Sequence, residues 1–296
     1  MALAGVASPR LDDELRRASA ALGERRACTP ALARRECRIL LAAALGRERE
    51  DPGVGLGDEF GPGQREKFLS SVARRMAGEP VSKIIGRRSF WDWDFFVNGR
   101  VLDPRQDSET VVEAVSRDFR GPRETSGKIR VLDLGVGSGC LLLSVLKILP
   151  GAVGVGLDID PGALAVAEEN ARALAVENVE FRLGDWNREL EGEFDVVISN
   201  PPYIETEAIA GLEEEVRLYD PWIALDGGND GLDCFRAIAG GITRNLARGA
   251  RMYIEVGYGQ AAAVTDLFGE NNFKLLRIER DLGGVDRVLV FESSGG

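Results

Sequence analysis

The stretch Val131-Leu132-Asp133-Leu134-Gly135-Val136-Gly137-Ser138-Gly139 decides the fold. Its first half reads as a buried strand, and the glycines at every second position read as a tight turn opening a helix from about Ser138. Glycine lets the backbone bend sharply and approach a ligand, while a helix start presents unpaired N–H groups. A nucleotide-like cofactor suits such a turn, lined by Gly135, Val136, Gly137, Ser138 and Gly139. The glycines alone also suit dinucleotide folds, or close packing of a helix on a strand. Asp158 ends the next strand about 20 residues on, where a carboxylate accepts from both ribose hydroxyls, and this favours an adenosine cofactor. Asp133, just before the turn, is placed to organise it and the ligand's ammonium. Asp185-Trp186 follows the third strand and offers an acid and an aromatic wall near the adenine. These features favour S-adenosylmethionine, with S-adenosylhomocysteine as product, over a nicotinamide.

Outward from the turn, strands are predicted over 129–134, 153–157, 179–183, 194–199, 251–256, 273–278 and 287–291. Helices alternate with them, from 138, over 161–174, over 231–246 and over 260–268. This rhythm predicts a seven-stranded, mostly parallel sheet with helices on both faces and an antiparallel last strand. Upstream, apolar residues at helical spacing over 11–45, with a Thr29-Pro30 helix start between two runs, predict a helical N-terminal part. The glycine- and proline-rich stretch 51–63 reads as a loop, and 64–77 resumes the helical pattern. Aromatic and β-branched residues surround Asn98-Gly99, a hairpin signal. The expected organisation is a helical N-terminal domain over 1–86, to which the family resemblance given below adds a substrate-binding role, a β-hairpin linker over 87–105 and a methyltransferase catalytic domain over 106–296.

The fourth strand runs into Asn200-Pro201-Pro202-Tyr203, at the carboxyl end where open α/β sheets place ligands. Two prolines stiffen the backbone and leave their carbonyls without local donors. A planar nitrogen is a poor nucleophile because its lone pair is delocalised, so a site must aim that lone pair at the methyl group. If the Asn200 side-chain oxygen and the Pro201 carbonyl each accept one N–H, the nitrogen is held in line and its developing charge is stabilised. The proton leaves once the nitrogen is cationic, so no general base is required. Tyr203 is expected to stack on the planar target. Asn200, Pro201 and Tyr203 are therefore the candidate catalytic residues, Asn200 to Tyr203 the candidate substrate contacts, and Asn200 a further cofactor contact.

Composition narrows the chemistry. The 296 residues include no histidine, which removes the commonest general base and metal ligand and every Ser-His or Cys-His pair. No metal is expected. Four scattered cysteines, with no CxxC pair, suit a reducing compartment rather than a disulfide framework. Residues 1–10 lack a signal-peptide pattern, and no apolar run approaches the roughly 20 residues that span a bilayer, so a cytoplasmic protein without membrane association is expected. Net charge is −11, spread unevenly: 18 Lys+Arg against 14 Asp+Glu over 1–100, and 19 against 34 beyond. The acidic remainder disfavours a phosphate-binding surface and stable nucleic-acid binding. A methyltransferase acting on an exocyclic adenine nitrogen of DNA or RNA is the alternative enzyme reading, because that amine poses the same lone-pair problem. A non-catalytic adaptor keeping the fold is a third.

Several motifs together resemble the release factor glutamine methyltransferases (PrmC/HemK family). In order they are Glu79-Pro80-Val81, Gly86 with Phe90-Trp91, Val101-Leu102 with Pro104-Arg105 and Glu109, the 135–139 turn, Gly184-Asp185-Trp186 and Asn200 to Tyr203. They continue through Glu215-Val216, Tyr219-Asp220-Pro221, Ala224-Leu225-Asp226-Gly227-Gly228 with Asp230-Gly231, Glu255-Val256-Gly257 and Asp281-Leu282-Gly283-Gly284. Asn-Pro-Pro-Tyr alone is shared with adenine methyltransferases, whereas the flanking set is more specific. The resemblance implies a Rossmann-like class I S-adenosylmethionine-dependent fold. It also implies methylation of the glutamine in the Gly-Gly-Gln loop of class I peptide chain release factors; a monomer is expected. Ser82-Lys83, where the family has Ala-Tyr, and Asp103 and Gln106, within its Ile-Pro-Arg-Pro, depart from the pattern.

Overall fold

Thr29 and Pro30 separate two helices as their chemistry requires. In the computed structural model, which describes residues 10–47, 59–119, 128–186 and 190–293, α1 (Leu11–Arg26) ends on a left-handed Ala27. The Thr29 hydroxyl then accepts the Leu32 N–H to cap α2 (Pro30–Leu45), with proline in the first turn where its missing N–H costs nothing. The helices α3 (Gln64–Met76) and α4 (Val81–Ile85) follow. Leu11, Leu15, Leu22, Cys37, Leu40, Leu41, Phe68 and Val72 form their common core. Of the predicted loop over 51–63, residues 51–58 lie outside the described residues, as do 1–9. No described helix is long and apolar enough to cross a membrane. The chain divides into two compact units, Met1–Gly86 and Arg87–Gly296.

The second unit opens with a hairpin, β1 (Arg87–Phe90) and β2 (Trp93–Phe96). Its turn lies at Trp91-Asp92 and not at Asn98-Gly99, which corrects the sequence reading. Burial decides the register: Phe90 and Phe95 are fully buried and meet edge to face. Trp91 takes the left-handed conformation this requires, and its N–H is held by the Glu109 carboxylate at 2.8 Å. Asn98 instead makes a local turn, its side-chain oxygen accepting the Arg100 N–H.

Helix α5 (Glu109–Phe119) leads to β3 (Arg130–Leu134), α6 (Cys140–Ile148), β4 (Val153–Asp158), α7 (Pro161–Ala173), β5 (Val179–Leu183) and β6 (Phe194–Ser199). After a short α8 (Glu214–Tyr219) come α9 (Asp233–Gly241), β7 (Leu246–Glu255), α10 (Ala261–Glu270), β8 (Phe273–Arg280) and β9 (Asp286–Ser293). Among the described residues the sheet has seven strands, ordered β5-β4-β3-β6-β7-β9-β8, and β9 runs antiparallel to both its neighbours. The mostly parallel sheet with an antiparallel last strand is thus as expected. What the spacing did not show is that β9 inserts between β7 and β8. The predicted helix over 231–246 is shorter, with a 3-10 turn over Ile242–Asn245 before β7 begins.

Side-chain alternation builds two cores. Val131, Val196, Ile198, Tyr253, Val288 and Val290 face a cluster that includes α5 and α6 residues. Leu132, Leu134, Val197, Met252, Ile254 and Leu289 face Phe235, Ile238, Val264 and Phe268 of α9 and α10. Leu134 pairs with Leu157 on one side and Ser199 on the other. The carboxyl ends of β3, β4 and β6 therefore finish in one row, where their loops form a cleft.

Candidate active site

The glycine turn is shaped by the end of β4. Gly135 and Val136 both donate to the Leu157 carbonyl at 2.9 Å, and Gly137 donates to Asp158 Oδ2 at 2.8 Å. Gly135, Gly137 and Gly139 all have positive φ. A Cβ on Gly135 would lie 3.0 Å from the Trp186 ring and press on it, so conformation favours glycine there and space adds to that. Asn170 of α7 ties the turn to the hairpin, donating to the carbonyls of Ser138 and Phe96 while accepting the Phe96 N–H.

The cleft is lined by Gly135, Val136, Gly137, Ser138, Asp158, Asp185, Trp186, Asn200 and Pro202 of the expected site residues. It is also lined by residues to which the sequence reading gave no site role, among them Arg100, Leu102, Ser108, Ile159, Pro221, Ile223 and Cys234. Leu102 and Pro221 fall within motifs quoted for the family resemblance, whereas the others carry no motif, because their approach to the cleft depends on packing. The other expected residues sit beneath the cleft surface. Gly139 caps the start of α6, and Pro201 is buried.

Asp133 lies under the turn at 1% exposure, with neither carboxylate oxygen hydrogen-bonded. Burial, and then the neighbouring Asp158 charge, push its carboxyl up to about 8. Asp158 itself accepts the Gly137 and Asp160 N–H groups, one on each oxygen, which leaves a lone pair on each for a ligand. Burial still raises it above the usual carboxylate range.

Asn200 emerges from β6 with its Nδ2 at 3.2 Å from Ser108 Oγ. The preceding Ser199 hydroxyl donates to the Leu134 carbonyl at 2.7 Å, pinning this corner to β3. Tyr203 is half-buried and does not line the cleft; its carbonyl accepts from Gln260 at 2.9 Å. Three glycines enclose it. A Cβ on Gly227 would reach 2.8 Å from the Tyr203 Cα, one on Gly231 2.5 Å from its carbonyl oxygen, and one on Gly257 2.9 Å from its ring. Burial, and then the Glu255 charge, raise the Tyr203 hydroxyl, so it stays protonated at neutral pH.

The motifs after Tyr203 thus act as a brace. Ile204 bonds to Leu225 and Gly227 through the backbone. The Asp226 carboxylate accepts from Thr206, Gly228 and Trp222. Asp220, 7% exposed, accepts from Arg105 at 2.6 Å and from the Asp103 N–H at 3.1 Å. This holds the segment where Asp103 and Gln106 depart from the family pattern.

A methyltransferase domain model matches residues 125–272, and a model described as the PrmC N-terminal domain matches 13–86. The release factor glutamine methyltransferase of Rhodospirillum rubrum is 44% identical, over 87% of this chain and 78% of its own length. That of Cereibacter sphaeroides is 40% identical, over 87% and 90%. Among solved structures, the hMettl16 catalytic domain bound to an RNA hairpin superposes with a TM-score of 0.52 at 14% identity, covering 68% of this chain and 76% of that one. That likeness concerns the fold alone.

Proposed function

The chain belongs to the release factor glutamine methyltransferases, and from that membership we propose the reaction its cleft performs. It transfers the methyl group of S-adenosylmethionine to the side-chain amide nitrogen (N5) of the glutamine in the Gly-Gly-Gln loop of class I peptide chain release factors. The modification tunes translation termination, and the enzyme acts in the cytoplasm as a monomer. The supporting observation is that Asn200, at the carboxyl end of β6, opens into the same cleft as the glycine turn at the end of β3.

The residues present fit the cofactor. The glycine turn and the Trp186 ring line one cleft, and a Cβ on Gly135 would press on that ring. Asp158 keeps acceptor capacity for ribose hydroxyls, and Trp186 and Ile223 supply apolar walls. The buried, unpartnered Asp133 carboxyl below is stabilised by a cationic group brought near it. When bound, the sulfonium supplies a methyl group open to attack by a weak nucleophile.

The chain supplies position and electrostatics. Asn200 Oδ1 and the Pro201 carbonyl each accept one N–H of the glutamine amide, which turns its lone pair toward the methyl carbon. As the C–N bond forms and the C–S bond breaks, positive charge appears on the nitrogen and these acceptors stabilise it. The nitrogen, now acidic, releases its proton afterwards. Pro202 walls the cleft, while Tyr203, held by Gly227, Gly231 and Gly257, keeps the segment rigid beside the target.

Labelled cofactor offered with a release factor, with its Gln-to-Ala loop variant, and with nucleic acid tests the reading. Label is expected on the intact factor only. Label on nucleic acid alone would overturn it in favour of an adenine amino-methyltransferase.

A further inference from the structure

Two prolines leave Asn200-Pro201-Pro202-Tyr203 with few backbone donors of its own, so its place must be set through its carbonyls and its two ends. The entry is pinned at Ser199, whose hydroxyl donates to the Leu134 carbonyl at 2.7 Å. The exit is pinned by a residue 57 positions on. Gln260 Nε2 donates to the Tyr203 carbonyl at 2.9 Å and to the Gly231 carbonyl at 3.3 Å. Its Oε1 accepts the Gly257 N–H at 2.9 Å. One carboxamide thus joins the connections that follow β6, precede α9 and follow β7.

This bonding fixes the amide orientation, because the oxygen meets an N–H while the nitrogen meets two carbonyls. Glycine makes room on both sides: a Cβ on Gly231 would lie 2.7 Å from Nε2, and one on Gly257 2.8 Å from Oε1. Gln260 also stands at the N-cap of α10, where a short polar side chain would cap the helix, yet its own makes no cap bond. Its polar atoms serve the loops around Tyr203 instead.

The anchor reaches the chemistry through backbone stiffness. Both prolines have ring-fixed φ, so few rotations separate the Tyr203 carbonyl from the Pro201 carbonyl. Holding the one restrains the other. Gln260 itself does not line the cleft, so its effect on the target runs through the segment it holds.

We propose that Gln260 is a positioning residue for methyl transfer: its carboxamide, bonded to Tyr203, Gly231 and Gly257, holds the Pro201 carbonyl where it accepts an N–H of the target amide. The assignment rests on the nitrogen-clamp reading given above. A brace that served stability alone would lower the melting temperature and leave the rate of the folded enzyme unchanged.

The experiment is single-turnover methyl transfer to a release factor at saturating cofactor, with cofactor affinity measured by calorimetry and each protein kept well below its melting midpoint. The proteins are the wild type, Gln260→Met, Gln260→Glu, Asn200→Ala and the double variant Gln260→Met with Asn200→Ala. Gln260→Met keeps the length and removes the polar contacts. Gln260→Glu, as a carboxylate, keeps the acceptor for Gly257 and loses the donors to Tyr203 and Gly231. Both changes of Gln260 are expected to slow transfer about 10-fold or more, the loss associated with one oriented hydrogen bond, while cofactor Kd and release-factor KM stay within about 3-fold. On the Asn200→Ala background Gln260→Met should cost less than about 3-fold, because placing one acceptor gains little once the other is gone. A wild-type rate in Gln260→Met beside an inert Asn200→Ala overturns the role of Gln260 alone. A loss carried in Kd or KM, or full multiplication of the two losses in the double variant, also overturns it. An active Asn200→Ala overturns the clamp, and the role of Gln260 with it. Gln260→Met introduces no charge and carries the test if Gln260→Glu melts early.

Discussion

At the scale of the residue, Asn200 lines the cleft and Asp133 lies buried beneath it, and different outcomes are expected on changing them. On the proposed clamp, Asn200→Ala removes an acceptor for the nitrogen on which charge develops, so the rate of transfer is expected to fall about 100- to 1,000-fold, as on loss of a preorganised polar contact. Cofactor affinity should change little; near-normal turnover in single-turnover assays would refute the clamp. Asp133 concerns stability. Its carboxyl is pushed up to about 8 from an ordinary value of 3.8, chiefly by burial. The folded state therefore holds a proton that the unfolded state has lost between those values. Stability from this group is fully present below about 4 and declines as pH rises toward 8. Asp133→Asn should flatten the fall in denaturation midpoint of the cofactor-free protein between pH 5 and 8, leaving the smaller slope from Glu255, which titrates in the same direction. An unchanged slope would show that Asp133 titrates normally.

At the scale of the element, the caps and glycine braces carry the argument. The Thr29 hydroxyl caps α2 through Leu32 at 3.3 Å, so Thr29→Ala should cost about 1 kcal/mol in the unfolding of the first unit, read by urea denaturation, with cofactor affinity unaffected. Gly231 differs because it has φ +71° and its added Cβ would lie 2.5 Å from the Tyr203 carbonyl oxygen. Gly231→Ala should cost about 3 kcal/mol from the left-handed backbone and the forced displacement together. It should also depress turnover, because Tyr203 ends the segment that begins at Asn200. A variant that loses stability but keeps full turnover would show that the brace does not reach the clamp. Much of this level was legible in the sequence: Thr29-Pro30, the strand ending at Leu134 and the glycine turn all fell where expected. Each rests on sterics and hydrogen bonding within a few residues. The hairpin turn did not, because burial of Phe90 and Phe95 outweighed the local preference of Asn98-Gly99.

At the scale of the whole molecule, ligand binding and folding are linked. Cofactor at about 100 times its Kd should stabilise the second unit by about 2.7 kcal/mol, and raise its melting temperature by several degrees. Asn200→Ala should keep that shift and Gly135→Ala should lose most of it, because its Cβ would reach the Trp186 ring. Equal shifts in both would refute the role of the glycine turn.

The same scale separates local from distant information. The glycine turn, the Asn-Pro-Pro-Tyr corner and the alternation of strand and helix are written in short runs, because backbone sterics and side-chain period act within a few residues. The chain order alone did not yield the insertion of β9 between β7 and β8, which carries Arg287 to the neighbourhood of Glu255 and Tyr203. Nor did it yield the contact of Ser108 with Asn200, 92 residues apart. Those pairings follow from which faces the sheet buries and in what register its strands align, so they exist only once the tertiary structure has formed.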